Sequence, residues 1–410
     1  MAKTPLLTGI DIGSSKITTI ITAASEDQTR LNVVGVASSE SRGIRKSQVV
    51  DIEEAISAIT KSVEAAERMA GYSVSDAFVS VSGDHIQSQN SKGVVAVGNP
   101  EHEIVPDDVY RVIEAARAIS LPSSREILHV LPREFIVDSQ SGVRDPLGMT
   151  GVRLEAEAHI VTGSSAVIRN LSKCIAEIGV TVNGLVFSGL ASAESTLSDT
   201  EKELGVVLID IGGGTTSIAV YIEGALSHSA VIPVGAKNIT NDLAIGLRIS
   251  LDSAEKIKQH LTELDLQKEK PSDEPPKKPD ELNLARLGLK EDVKTTSKKT
   301  LVEGIIRPRL NEIFSMVGDE LKKSGFASST PAGVVITGGG AQTVEVISSC
   351  KRTLQLPARI GDPHGLSGLI DEIGSPAFAT ATGLILYGRA QHASSPAGKM
   401  SFPMFKNIPG

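Results

Sequence analysis

Leu6-Leu7-Thr8-Gly9-Ile10-Asp11-Ile12-Gly13-Ser14-Ser15-Lys16 runs straight into Ile17-Thr18-Thr19-Ile20-Ile21, and 199 residues later the pattern returns. The second copy is Val206-Val207-Leu208-Ile209-Asp210-Ile211-Gly212-Gly213-Gly214-Thr215-Thr216, followed by Ser217-Ile218-Ala219-Val220-Tyr221. Each reads as a β-hairpin: an apolar strand, a turn of Gly and small hydroxyl residues, and a second apolar strand. Such a turn exposes backbone N–H groups and hydroxyls suited to phosphate oxygens, and the Asp ahead of it suits a hydrated Mg²⁺. One Asp-x-Gly hairpin shows only that the chain turns. Two copies, opening two halves of one chain, predict a nucleotide clamped between related lobes.

A third glycine turn extends the pattern. Gly333-Val334-Val335-Ile336-Thr337 is a short apolar strand, and Gly338-Gly339-Gly340 lets another group approach the backbone closely. A helix from about Gln342 is expected behind it, its N-terminus favourable to an anion.

The 410 residues suffice for two or more units, each with its own core. A net charge of −8 argues against nucleic acid as a partner of the bulk surface. With no Trp and 3% aromatics, the core must rest on Ile, Val, Leu and Ala. Cys174 and Cys350 form no metal-ligand pair and read as buried thiols in a reducing compartment. No signal-peptide pattern and no long apolar span is seen, so a cytoplasmic location is expected.

Along the chain, a third strand at Leu31–Ala37 precedes an amphipathic helix capped by Asp51 and stopped by Gly71, then a strand at Ala77–Val81. This order favours an α/β layer architecture. Residues 84–163 change texture and read as a small α+β insert. Residues 236–330 read as mostly helical, with a long helix from about Lys299 to Lys323 interrupted at Pro308. The Pro- and Lys-rich run 267–281 reads as a solvated, mobile loop.

In the expected cleft Asp11 and Asp210 face a metal ion from opposite sides. Gly13, Ser14, Ser15 and Lys16 cradle phosphate oxygens from one lobe. Gly212, Gly213, Gly214, Thr215 and Thr216 do so from the other, and Gly338, Gly339 and Gly340 close the site. Glu255 and Lys258, three apart on a helix, either contact ribose and adenine or form an ordinary solvated ion pair.

These turns, with Ala379-Thr380-Ala381-Thr382-Gly383-Leu384, resemble the signature of the actin-like ATPase superfamily. His129-Val130-Leu131-Pro132, Asp145-Pro146-Leu147-Gly148-Met149, Arg153-Leu154-Glu155-Ala156 and Ala236-Lys237-Asn238-Ile239-Thr240-Asn241-Asp242 are similar to its FtsA branch of bacterial cell-division proteins. The likeness spans roughly residues 6–390. It implies an α/β, two-lobed fold with two ribonuclease-H-like sheets, an α+β 1C insert and a mostly helical 2B subdomain. The implied division is 1–83 and 164–204 for subdomain 1A, 84–163 for 1C, 205–235 and 332–375 for 2A, and 236–331 for 2B. Residues 376–390 form a return helix to 1A, and 391–410 a flexible tail.

The resemblance further implies ATP and Mg²⁺ as ligands, actin-like protofilaments, and tethering of the tubulin-like FtsZ ring to the cytoplasmic face of the membrane. The FtsZ C-terminal peptide would dock on 2B near Arg309 and Glu312, and other division proteins would meet 1C. A PilM-type pilus adaptor, taking a short peptide of an inner-membrane protein, is the alternative; the Asp145–Met149 turn and Gly383–Gly388 favour FtsA. Sugar kinases need a catalytic carboxylate pattern not evident in the first lobe, and chaperones need a substrate domain for which residues 391–410 leave no room.

Ser188 stands where fast ATPases of this superfamily often carry Glu or Gln. A Ser is no general base near neutral pH, which points to a nucleotide-gated scaffold with slow hydrolysis. The tail Lys399–Gly410 is apolar and basic but broken by Pro403, so only weak membrane contact, strengthened by polymerisation, is expected.

Overall fold

Three consecutive antiparallel strands begin the first lobe: β1 (Leu6–Ile12), β2 (Lys16–Ala24) and β3 (Leu31–Glu40), with Asp11 opposite Thr18 at the end of the first hairpin. The structure is a computed structural model that describes residues 6–25, 30–99, 101, 103–268 and 280–393. A small hairpin, β4 (Ile44–Arg45) and β5 (Gln48–Val49), leads to helix α1 (Ile52–Ala70). The Asp51 side chain accepts the Glu54 N–H at 3.0 Å to start this helix, and Gly71 at φ 72° stops it. Helix α1 lies flat on β3, since a Cβ on Gly35 would meet Ala66 O at 2.5 Å. Strand β6 (Asp76–Val81) then joins β1 in parallel.

The insert carries β7 (Gln87–Ala96), helix α2 (Pro106–Arg117), β8 (Arg125–Val137), β9 (Gln140–Val143) and β10 (Arg153–Ser164). Its sheet order is β7-β10-β8-β9, and α2 covers one face over Ile104, Val112, Phe135 and Leu154. Ser164 N–H donates to His85 Nδ1 at 3.1 Å, so the two ends of the insert meet.

The insert is nevertheless not a detachable block. Leu128 and Val161 belong to the first lobe's core, and His129 Nε2 accepts the Phe187 N–H at 3.0 Å. Excision of residues 84–163 would remove these groups. We therefore expect that variant to lose cooperative unfolding, in place of the folded remainder that the sequence texture suggests. A circular-dichroism melt checks this, and a cooperative transition would contradict it.

Helix α3 (Ser165–Glu177) and β11 (Thr181–Phe187) complete the first sheet, and α4 (Ser188–Thr196) and α5 (Asp199–Leu204) carry the chain to the second lobe. There β12 (Val206–Ile211), β13 (Thr216–Ile222) and β14 (Ala225–Ile232) repeat the opening meander. The insert docks on β14: Ser88 Oγ donates to Ser229 O at 2.7 Å, and Arg133 Nε donates to Ser227 Oγ at 3.0 Å.

Helices α6 (Ala236–Leu247) and α7 (Leu251–Lys268) follow, then β15 (Glu281–Asn283), β16 (Thr295–Ser297) and α8 (Lys298–Leu301). A π-turn over Val302–Ile306 links α8 to α9 (Arg307–Ser324). Pro308 has no N–H to close the ladder, and the interruption expected in the 299–323 helix takes the form of this π segment just ahead of Pro308, which stands in the first turn of α9. Most of the run 267–281, and the whole of Lys399–Gly410, lie outside the described residues.

Strand β17 (Val334–Thr337) joins β12 in parallel, followed by helix α10 (Val346–Leu354) and β18 (Ala358–Ile360). The short β19 (Ser367–Gly368) crosses back to pair with β3, so the return to the first lobe begins before residue 376. Helix α11 (Ile370–Ile373) and helix α12 (Ala379–Ala393) end the described chain.

Sheet orders β11-β6-β1-β2-β3-β19 and β14-β13-β12-β17-β18 share one plan: three antiparallel strands extended by parallel ones. One Ile/Val/Leu core packs the first lobe around Ile10, Ile20, Ile59 and Phe187 and runs on to one face of the second sheet at Val206, Leu208 and Val335; a second core covers that sheet's other face, with Ile209, Ile218, Leu310 and Phe314.

Candidate functional site

The two Asp-Ile-Gly turns, distant in sequence, face each other across the lobes and touch. A Cβ on Gly213 would lie 2.0 Å from Ser15 Oγ, and one on Gly214 would lie 2.7 Å from Ser14 Oγ. Beneath them stand the carboxylates. Ser80 Oγ donates to Asp11 Oδ1 at 2.7 Å, and Asp210 Oδ2 accepts from Ser192 Oγ at 2.6 Å and Thr380 Oγ1 at 3.0 Å. Burial pushes the Asp11 carboxyl up to about 6, against the pull of the Ser80 bond and with a further push from Asp210. Burial also raises Asp210, although its two hydroxyl donors oppose the shift.

Two carboxylates, Asp210 buried and Asp11 half-buried, that sense each other's charge form a hard-oxygen donor set that suits Mg²⁺, which takes one or two carboxylates and fills its shell with water and phosphate. Among the described residues no group of three or more His, Cys, Asp or Glu could hold a metal, so the remaining ligands must come from elsewhere. Asp11 and Asp210 would hold the ion, and the ion would neutralise phosphate charge.

This has a consequence for stability. The folded Asp11 pKa of about 6 lies above its ordinary 3.8, so the folded chain binds that proton more tightly. Stability from this group is full below 3.8 and is lost as pH climbs through 6; the window corresponds to about 3 kcal/mol. Asp11→Asn is therefore expected to melt higher than the parent at pH 7 without nucleotide, and to lose the pH dependence between 4 and 6. Thermal unfolding against pH checks both, and a lower melting point at pH 7 would contradict the assignment.

Lys16 senses the Asp11 charge and stacks on Phe378. Its Nζ lies 3.6 Å from the Phe378 ring centroid, and burial lowers its pKa while Asp11 opposes that. Lys237 links the two phosphate turns, its Nζ donating to Ser14 O at 2.7 Å. Thr216 Oγ1 donates to Val234 O at 2.8 Å, bracing the turn instead of facing the cleft. Gly338, at φ +83°, lies against Asp210: a Cβ there would meet Asp210 Oδ1 at 2.2 Å, so no other residue fits.

The helix expected directly behind Gly340 is instead a 3-10 turn over Gly339–Gln342, and α10 starts only at Val346. Glu345 at φ +68° breaks the helical path between them.

Glu255 and Lys258 make a closed triangle with Thr240. Lys258 Nζ lies 2.7 Å from Glu255 Oε2 and 2.8 Å from Thr240 Oγ1, which donates to Glu255 Oε2 at 2.6 Å. Burial alone would raise Glu255; the Lys258 ammonium and these bonds outweigh it and hold the carboxyl below its usual range.

On the second lobe Arg309 pairs bidentately with Asp242, Nε to Oδ2 at 2.6 Å and Nη2 to Oδ1 at 3.0 Å, and reaches Glu312 at 2.5 Å. These three line a cavity of about 350 Å³ with Ile245, Gly246, Gly304, Ile305 and Pro308. Ile245 is 77% exposed at its mouth, an apolar side chain that nothing in the fold requires outside. Arg309→Ala is expected to cost about 1 kcal/mol or less, because the pair is partly solvated. Urea unfolding checks this, and a loss above about 3 kcal/mol would mean that the pair is effectively buried.

Ser80, Ser192, Thr380 and Lys237 escaped the sequence reading. Thr380 lay in plain view within Ala379–Leu384, where its hydroxyl was the signal. Ser188 sits at the start of α4 with its Oγ 2.9 Å from Ser217 Oγ.

Residues 83–162 match the family described as "SHS2 domain inserted in FTSA", and residues 207–383 match "Cell division protein FtsA". The cell division protein FtsA of Pseudomonas aeruginosa is 39% identical over 394 residues, covering 93% of this chain and 89% of that protein. The Bacillus subtilis FtsA is 36% identical, covering 98% and 88%, and the Escherichia coli K12 FtsA 34%, covering 96% and 92%. Among solved structures, the PilM-PilN type IV pilus biogenesis complex superposes with a TM-score of 0.64 at 15% identity, over 93% of this chain and 98% of that one. MreB 5 of Spiroplasma citri bound to AMPPNP gives 0.54 at 14%, over 96% and 98%. At such identities these two likenesses speak for the fold alone. The chain belongs to the FtsA family of cell-division proteins, built on the actin-like ATPase fold.

Proposed function

We propose that this protein binds ATP with Mg²⁺ between its lobes, polymerises, and links the FtsZ ring to the cytoplasmic face of the membrane at the division site. The observation that carries the nucleotide part is the meeting of the two phosphate turns over Asp11 and Asp210. The residues that would hold the ligand are Gly13–Lys16, Gly212–Thr215 and Gly338–Gly340 at the phosphates, the two aspartates at the metal, and Glu255 and Lys258 at the ribose and base. Slow hydrolysis agrees with Ser188, whose hydroxyl bonds Ser217 and supplies no general base.

The Arg309 cavity would dock the FtsZ C-terminal peptide. Because Arg309 is already engaged with Asp242 and Glu312, an acidic peptide must take over one of those bonds, while Ile245 and Ile305 meet its apolar side chains. Self-association through the insert is supported by its exposed Val94, Leu147 and Val152, and other division proteins would also meet it. Among the described residues no helix is long and apolar enough to cross a membrane, so membrane contact is assigned to the tail beyond residue 393.

Binding of fluorescent ATP together with an FtsZ tail peptide tests cleft and cavity at once. Arg309→Glu should weaken the peptide by about ten-fold or more and leave ATP affinity unchanged. Undiminished peptide binding at low salt would move the docking site elsewhere.

A further inference from the structure

The tip of the β4–β5 hairpin intrudes on the phosphate turns. Lys46 and Ser47 both sit at positive φ, 48° and 59°, a conformation uncommon for side-chain-bearing residues. Two such residues in succession fit the tight two-residue turn that joins β4 to β5. That shape brings Ser47 between the lobes. Its N–H donates to Ser14 Oγ at 2.8 Å on the first turn, and its Oγ lies 3.0 Å from Thr215 Oγ1 on the second. The Lys46 Cα stands 3.2 Å from where a Gly214 Cβ would be. Ser14 and Thr215 are themselves almost wholly buried, at 4% and 5% exposure.

Ser47 thus occupies hydroxyls that the nucleotide reading assigns to phosphate oxygens. A terminal phosphoryl group needs the turns to part, since Gly213 and Gly214 now lie against Ser15 and Ser14. Parting the turns breaks the Ser47–Thr215 bond, whereas the Ser47–Ser14 bond stays within the first lobe. We propose that Ser47 is a latch between the two phosphate turns, released when a nucleoside triphosphate enters, and that it sets the preference between triphosphate and diphosphate. The inference rests on the cleft being a nucleotide site.

The test compares the full chain with Ser47→Ala, which keeps the N–H and loses the hydroxyl. Ser47→Gly serves as a second variant that also relieves the positive φ. Two quantities are measured: hydrogen exchange of residues 44–49 and 212–216 without nucleotide, and the affinities for Mg²⁺-ATP and Mg²⁺-ADP. Both variants should exchange faster in both segments without ligand. Both should bind ATP about three- to ten-fold more tightly relative to ADP, because one hydrogen bond fewer is broken on entry. An ATP-to-ADP ratio within two-fold of the parent, or weaker ATP binding, overturns the latch while leaving the nucleotide site standing. Binding of neither nucleotide by the unmodified chain overturns the site itself, and the latch with it.

Discussion

Asp210→Asn should lose Mg²⁺-dependent ATP binding by about 100-fold while the chain still folds. Asn keeps an oxygen for the Ser192 and Thr380 hydroxyls, so the hydrogen bonds that seat the side chain survive. What disappears is the negative charge, in a site whose burial makes each charge count more than it would in water. A contact between charged groups is worth roughly 1.5–3 kcal/mol, and each 1.4 kcal/mol is ten-fold in affinity. Replacing a carboxyl group whose charged form burial disfavours also relieves the fold, so the variant should melt no lower than the parent without nucleotide. Titration of Mg²⁺-ATP by calorimetry reads the loss. Parent-like affinity at matched Mg²⁺ would place the metal elsewhere.

Gly383→Ala should destabilise the fold by about 3 kcal/mol, a large part of the 5–15 kcal/mol typical of a domain. On an exposed helix the same change would add stability. Here a Cβ on Gly383 would lie 1.7 Å from Ala191 O and 2.4 Å from Ala191 C. Those are backbone atoms of α4, which cannot rotate away as a side-chain tip can. Helices α4 and α12 pack against each other, and each supplies one hydroxyl to Asp210, Ser192 from α4 and Thr380 from α12. Prising them apart should therefore weaken nucleotide binding along with the fold. Urea unfolding and ATP titration on one sample read both effects. An unaffected midpoint would mean that the helices pack more loosely than this geometry requires.

The two hairpins were legible because their signal is local: alternating apolar strands around a Gly-rich turn, stated twice. The matched sheets follow from that repetition. What stayed hidden was relational. Nothing around Ile44–Val49 announces that Ser47 will stand between Ser14 and Thr215, since an Arg-Lys-Ser-Gln stretch carries none of the glycine or asparagine that usually marks positive φ. Arg309 reads as a free cation because its partner Asp242 is 67 residues away on another helix. The stacking of Lys16 on Phe378 is hidden because the ring lies in the other half of the chain. The insert reads as separable because its changed texture is visible, whereas the seating of Leu128 and His129 in the first lobe is not. The helix behind Gly340 starts later than its sequence suggests, because no pattern there marks the positive φ of Glu345.

The central claim is that one nucleotide is gripped from both lobes at once. Hydrogen exchange of the full chain, with and without Mg²⁺-ATP, addresses it directly. Protection is expected together in residues 9–16, 210–216 and 338–342, and should fall away in Asp210→Asn. Protection confined to one lobe, or equal protection in that variant, would contradict the account.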